Sequence, residues 1–134
     1  MRMSGDFPVE SGGSAASDDI GEVVRFDVVG HGDGVRVMHV VGEIDTLTAP
    51  VLRDRVTEQL AEVTLLVLDL TDVSFLGSAG LAVLVAAKDE AEQRKCRLRL
   101  VPGSRIVTRA LEATGLLGLF EVADGVPQAL EVNR

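Results

Sequence analysis

Two hydrophobic periods follow one another along the chain. Val24, Phe26 and Val28 alternate with polar residues, the period of two that is typical of a half-buried strand. Residues 30–34, GHGDG, are suited to a turn, because glycine adopts positive φ without a Cβ clash. Residues 35–41 then form a second predicted strand, which completes a β-hairpin.

A helical period comes next. Thr48 is placed to cap a helix that has Pro50 in its first turn, where a missing N–H costs nothing. The apolar positions of this helix are Val51, Leu52, Val56, Leu60 and Val63. They lie on one face and predict an amphipathic helix. Residues 65–70, LLVLDL, are nearly all apolar, which favours a strand that is covered on both faces.

The remainder of the chain repeats these alternations. Leu81 continues into a helix that turns polar at residues 88–95, and residues 97–101 predict a further strand with Leu98 and Leu100 facing the core. Ser104 is placed to cap the next helix, and Gly115 to end it. Residues 119–124 then predict a short edge strand, and residues 126–132 a last short helix.

The predicted order is β-β-α-β-α-β-α-(β)-α. This order indicates an α/β fold, a small mixed sheet of about four or five strands packed with about four helices. Residues 1–20 of the 134 are rich in Gly, Ser and Asp and show no period, so we expect a flexible acidic tail there. We place the single folded domain in residues 21–134.

Composition narrows the class of protein. The chain is 46% hydrophobic but only 3% aromatic, so the core must be aliphatic. The net charge of −8 disfavours a general attraction to nucleic acid or to anionic lipid. No uninterrupted apolar run reaches the roughly 18 residues of a membrane span, and the N-terminus has no apolar signal region. With one cysteine, Cys96, no intrachain disulfide forms, and a reducing, cytoplasmic setting is expected.

One stretch breaks the pattern. In residues 73–85, VSFLGSAGLAVLV, a Gly-Ser-Ala-Gly sequence interrupts an apolar run at the start of a predicted helix. Ser78 is therefore expected at or beside the helix N-cap. It is either a simple capping serine or a phosphate acceptor, because helix N-termini offer N–H donors and a favourable dipole to an anion.

Two motifs together resemble a known family. The segments GEIDTLTAPVLRDRV, residues 42–56, and DLTDVSFLGSAGLAVLV, residues 69–85, resemble the STAS-domain anti-sigma factor antagonists of bacteria. The resemblance covers roughly residues 22–132. It includes the loop D-S-[ST]-G-L of that family, which is matched by Ser78, Gly80 and Leu81. Two positions depart from the loop: Gly77 stands in place of the aspartate, and Ala79 stands in place of the second hydroxyl residue.

The resemblance implies a function. In that family the unphosphorylated protein binds an anti-sigma factor, a serine kinase with a histidine-kinase-like ATPase fold, and so releases a sigma factor. The kinase phosphorylates the loop serine, here Ser78, and a PP2C-type phosphatase restores the protein. The resemblance implies that the partner-binding residues are Glu43, Asp45, Thr46, Gly77, Ser78, Ala79, Gly80 and Leu81. From the residues alone, each of the two acids has a second interpretation that is as open as partner binding. Asp45 caps a turn in that interpretation, and Glu43 is solvated.

Other functions find less support. GSAG is not a nucleophile elbow, and neither His31 nor His39 is spaced to serve Ser78 in a relay; we therefore expect no enzyme and no cofactor. Asp69 and Asp72 lie around the end of the predicted strand, where solvation or turn formation is favoured over a metal site. Cys96 is expected to be a buried small hydrophobe rather than a redox sensor. The main alternative is a STAS adaptor without a phosphoswitch, in a lipid-transport ATPase assembly or a stress-signalling scaffold.

Overall fold

The computed structural model describes residues 24–131, which form one sheet with helices in the predicted order. The strands are β1 (Val24–Gly30), β2 (Val35–Ile44), β3 (Leu65–Leu76), β4 (Arg97–Val101) and β5 (Glu121–Val122). The helices are α1 (Ala49–Leu60), α2 (Ser78–Arg94), α3 (Arg105–Ala113) and α4 (Val126–Leu130), and a 3₁₀ turn (Leu117–Leu119) precedes β5. The predicted tail, residues 1–20, lies outside the described residues.

The sheet is mixed, as predicted, with the strands in sequence order from β1 to β5. The hairpin pair β1 and β2 is antiparallel, whereas β2, β3, β4 and β5 run parallel. Each parallel connection contains a helix or a helical turn, as parallel pairing requires. The carboxyl ends of the parallel strands therefore meet at one edge of the sheet.

The first half of β3, residues 65–70, is covered on both faces, which confirms the interpretation of its apolar run. Leu66 and Leu68 point into the larger core, and Leu65 and Val67 point into the smaller one. Helices α1, α2 and α3 close the larger core with buried residues of their apolar faces: Leu52, Val56, Leu60, Leu81, Leu84, Val107 and Leu111. Helix α4 covers the opposite face through Ala129.

A buried arginine secures α4, and the sequence pattern did not reveal it. Leu98 and Leu100 face the larger core, as predicted, so Arg99 between them points to the other face of the sheet. There it is 2% exposed, donates from Nη1 to the carbonyl oxygen of Ala129 (2.7 Å) and from Nε to Glu121 Oε1 (2.8 Å). The guanidinium thus links β4 to the strand and the helix that follow.

One local prediction was wrong, and another was confirmed only in part. The strand predicted over residues 65–70 continues to residue 76, because residues 71–76 pair with the end of β2, where Gly42 opposes Val73. Asp69 and Asp72 therefore lie within a strand rather than beyond its end. Thr48 occupies the N-cap position of α1, but its side chain makes no hydrogen bond to the helix.

Candidate functional site

The two family motifs meet at the carboxyl edge of the sheet. Glu43 of β2 pairs in register with Phe75 of β3, and Ile44 pairs with Leu76. One residue further on, the Gly77 N–H donates to the Ile44 carbonyl oxygen at 2.9 Å. The turn after β2 and the start of α2 are therefore held side by side, although more than thirty positions separate them in the sequence.

The turn after β2 is built around Asp45. Its Oδ1 accepts hydrogen bonds from the backbone N–H groups of Leu47 and Thr48, both at 3.0 Å. Thr48, which is buried, donates from its hydroxyl to the Glu43 carbonyl oxygen (2.8 Å) and accepts from the Asp45 N–H (2.9 Å). These bonds cross-link the turn, so the hydroxyl expected to cap α1 stabilises the turn instead.

The same bonds set the charge of the turn. Hydrogen bonds from the Thr48 and Leu47 amides favour the ionised carboxyl group and lower the pKa of Asp45 below its usual range. Asp45 therefore caps the turn, as one of the two open interpretations held, and does so as a carboxylate at neutral pH. Glu43 and Thr46, by contrast, are exposed.

Ser78 is the first residue of α2, directly after the N-cap residue Gly77. Its side chain is exposed, and its hydroxyl makes no hydrogen bond to any other residue in 24–131. Gly77 has no side chain to cap the helix, so the first amides of the 17-residue α2 receive no side-chain acceptor. An exposed hydroxyl thus lies where unpaired N–H groups and the positive end of the helix dipole coincide.

Close packing behind Ser78 explains the second glycine of the loop. A Cβ atom built on Gly80 would lie 2.5 Å from Ile44 Cγ2 and 2.7 Å from Leu76 Cδ1. A side chain at residue 80 would displace Ile44 or Leu76, so the close approach of α2 to the sheet depends on glycine at this position. Gly80 and the neighbouring Leu81 are buried, and they hold the loop from beneath.

The eight residues implied by the resemblance therefore separate by exposure. Glu43, Thr46 and Ser78 are exposed, Asp45, Gly77 and Ala79 are half-buried, and Gly80 and Leu81 are buried. Sequence reasoning overlooked two large apolar side chains on the same edge, Leu47 and Phe75, which are 64% and 49% exposed. Leu47 lies in the first of the two family motifs, and Phe75 lies in the second. The sequence did offer a signal for Leu47, because it is an apolar residue in an otherwise polar turn.

The other polar clusters lie elsewhere. His39 Nδ1 is 2.7 Å from Asp69 Oδ2 in the middle of the sheet, whereas Ser78 follows the far end of β3. The span from residue 69 to residue 76 is roughly 23 Å of extended strand, so this pair does not reach Ser78. Within residues 24–131 no three His, Cys, Asp or Glu side chains form a metal-binding group.

Cys96 lies between α2 and β4 and is 8% exposed. It packs with the larger core, as predicted. Burial raises the pKa of its thiol, which keeps the sulfur protonated and poorly nucleophilic.

Comparison with known proteins agrees with the fold and the motifs. The STAS domain family model matches residues 27–129, and the chain belongs to this family. The anti-sigma-F factor antagonist RsfB of Mycobacterium tuberculosis (strain H37Rv) is 34% identical over 99 residues, which cover 73% of this chain and 80% of RsfB. The anti-sigma-B factor antagonist of Listeria monocytogenes is 39% identical over 84 residues, which cover 62% of this chain and 74% of the relative.

A solved structure adds the comparison in three dimensions. The crystal structure of an anti-sigma factor antagonist from Mycobacterium paratuberculosis superposes with a TM-score of 0.70 at 33% identity, over 80% of this chain and 91% of that one. The α/β architecture is thus that of the STAS anti-sigma factor antagonists. None of the helices in the part of the chain that the structure describes is long and apolar enough to cross a bilayer.

Proposed function

We propose that this protein is an anti-sigma factor antagonist controlled by phosphorylation of Ser78. In the unphosphorylated form it binds an anti-sigma factor that is a serine kinase with a histidine-kinase-like ATPase fold, and so releases a sigma factor. The kinase transfers the γ-phosphoryl group of ATP to Ser78 Oγ, which loses its proton, and ADP leaves. A PP2C-type phosphatase hydrolyses the phosphoserine and restores the binding form.

The observation that carries this proposal is the presentation of Ser78. Its hydroxyl is exposed and makes no hydrogen bond within the described residues, so a kinase can reach it without local unfolding. Ala79 removes the second hydroxyl of the family loop, so Ser78 is the one hydroxyl among residues 77–81. The relatives named as anti-sigma factor antagonists support the choice of partner.

The position also supports a switch that leaves the fold intact. A phosphoserine at the start of α2 meets the uncapped first-turn amides and the positive end of the helix dipole. The phosphate adds about −1.5 to −2 charges at pH 7. We expect the fold to tolerate this charge, because the side chain lies in solvent. A partner surface packed against the loop would not tolerate it.

The test uses the purified chain with each serine-kinase anti-sigma factor encoded in the same genome. With the cognate kinase and ATP we expect one added phosphate by intact mass, and none in Ser78→Ala. Ser74→Ala is the matched control, since Ser74 is an exposed serine four residues away in the same motif. Phosphate added to Ser78→Ala but not to Ser74→Ala would show that the assignment is wrong.

Binding experiments complete the test. Ser78→Ala should bind the kinase permanently, even with ATP present, whereas Ser78→Asp should bind more weakly than the unmodified protein. The phosphorylated protein should recover binding after treatment with a PP2C-type phosphatase. Equal affinity of the phosphorylated and unphosphorylated forms would refute the switch.

One observation favours the alternative of a STAS adaptor without a phosphoswitch. Gly77 and Ala79 both depart from the family loop, as expected if the loop were no longer under selection as a kinase substrate. Affinity capture of the tagged chain from its own cells distinguishes the two functions. An ATPase-fold kinase in the captured material supports the antagonist, and a transporter or a large signalling scaffold supports the adaptor.

A further inference from the structure

Large apolar side chains are exposed at few places in the described part of the chain. Besides Leu47 and Phe75 they are Val28, Val29, Ile106, Leu119 and Val122. Leu47 is the most exposed of the seven, at 64%. Leu47 lies in the turn that follows β2, and Phe75 lies next to the last residue of β3, so both belong to the end of the sheet that carries Ser78. We call these two residues the apolar patch.

Both members of the patch are held in place by the backbone around them. The Leu47 N–H is bonded to the Asp45 carboxylate, within a turn cross-linked by Thr48. Phe75 belongs to β3 and pairs in register with Glu43. Because little freedom remains to be lost on docking, side chains displayed in this way are suited to bind a partner.

Carboxylates border the patch. Glu43 is exposed beside Phe75 in the pairing of β2 and β3, and Asp72 is exposed further back along β3. Asp45, whose pKa is lowered, keeps its charge at the base of the turn that displays Leu47. This end of the sheet therefore carries exposed apolar side chains together with carboxylates, of which Glu43 lies beside Phe75.

We propose that the apolar patch is the anchor of the contact with the anti-sigma factor. The proposal, which rests on the proposed function, adds the chemistry of the partner: apolar surface that covers Leu47 and Phe75, with Lys or Arg side chains that face Glu43. Large apolar anchors at the centre of an interface carry most of its binding energy, whereas charges at the border set the association rate.

Gly77 connects the patch to the switch. A Cβ atom on Gly77 would lie 3.1 Å from Cε2 of Phe75, so the aromatic ring lies against the backbone immediately before Ser78. A phosphate on Ser78 therefore enters at the margin of an apolar contact. Because a dianion loses much of its hydration in such a contact, phosphorylation opposes docking without any change of fold.

The test measures the affinity of alanine variants for the anti-sigma factor that binds the unmodified protein. Leu47→Ala and Phe75→Ala should each weaken binding by about tenfold or more, the range typical of anchor residues. Ile106→Ala and Leu119→Ala are the matched controls, since these side chains are 50% and 52% exposed and belong to α3 and the 3₁₀ turn. Both controls should bind within about twofold of the unmodified protein.

Two more variants separate the apolar and charged contributions. Phe75→Leu retains an apolar side chain and should recover much of the affinity that Phe75→Ala loses. Glu43→Lys should lower the association rate, with an effect that shrinks at high salt. Unfolding curves of all variants verify that the fold is retained, as expected for changes at exposed positions.

The outcomes distinguish this inference from the function on which it rests. If the unmodified protein binds an anti-sigma factor and the patch variants bind as well as the controls do, the patch proposal is wrong and the function stands. If the unmodified protein binds none of the anti-sigma factors of its genome, the proposed function is wrong and the patch proposal fails with it.

Discussion

Gly77 leaves the longest helix of the described chain without a side-chain cap, and this omission can be reversed. Its backbone angles, φ −88° and ψ −179°, are the extended ones that an N-cap residue adopts. Gly77→Asp would place a carboxylate within reach of the first-turn amides of α2. Its Cβ atom would meet the Phe75 ring at 3.1 Å, so the half-exposed ring must move by a few tenths of an ångström.

The comparison with Gly77→Ala isolates the cap. Both variants introduce the same Cβ atom, so the cost of displacing Phe75 cancels between them. A capping aspartate is about 1 kcal/mol better than alanine, and its charge at the helix dipole adds roughly 0.3–1 kcal/mol. We therefore expect Gly77→Asp to be about 1.5 kcal/mol more stable than Gly77→Ala, which raises Tm by roughly 6 °C for a domain of this size.

Urea and thermal unfolding of the unphosphorylated variants provide the measurement. Gly77→Asn serves as the control for charge, since it caps without one and should lie between the other two variants. The Asp–Asn difference should fall at high salt, because the dipole interaction is screened. Equal stability of the Asp and Ala variants would refute the conclusion that α2 lacks a cap in this protein.

Three further predictions concern stability. Gly80→Ala should lower the free energy of unfolding by about 1–3 kcal/mol, measured by urea denaturation, because its Cβ atom would meet the fully buried Ile44; an unchanged midpoint would contradict this packing. Arg99→Ala should lower the free energy of unfolding by about 1–3 kcal/mol, because the hydrogen bonds to Glu121 and Ala129 are lost. The distinguishing measurement is backbone amide hydrogen exchange, which the substitution should accelerate more in α4 than in α1. The lowered pKa of Asp45 contributes stability that is present above the unfolded-state pKa of about 4 and is lost as the pH falls through the folded-state value. The stability difference between the unmodified protein and Asp45→Asn should therefore shrink in acid, and a difference independent of pH would exclude this contribution.

Most of the fold could be predicted from hydrophobic period and turn chemistry. Leu98 and Leu100 were placed in the core by alternation alone, and Ser104 was identified as the cap of α3, where its Oγ accepts from the Val107 N–H at 3.4 Å. Gly115 ends that helix with a positive φ of 72°, as its position indicated. These features are local, so a single sequence contains the information that specifies them.

The predictions that failed depend on pairing or hydrogen-bond partners that the hydrophobic pattern does not reveal. Residues 71–76 contain polar and apolar residues without a clean period, and they form a strand only because the end of β2 pairs with them. Thr48 was a reasonable cap by residue type, yet Asp45 and the Glu43 carbonyl compete for its hydroxyl more effectively. Alternation places Arg99 on the face opposite Leu98 and Leu100. It does not reveal that α4, thirty residues later in the chain, covers that face.

The sequence by itself determined the order of strands and helices, the family and the position of Ser78 at the start of a helix, because each follows from local period or local motif. The tertiary structure decided which side chains share the edge with that serine. Parallel pairing of β2 with β3 aligns two chain segments that no local rule connects, and so joins the Asp45 turn, Phe75 and Ser78 on one surface.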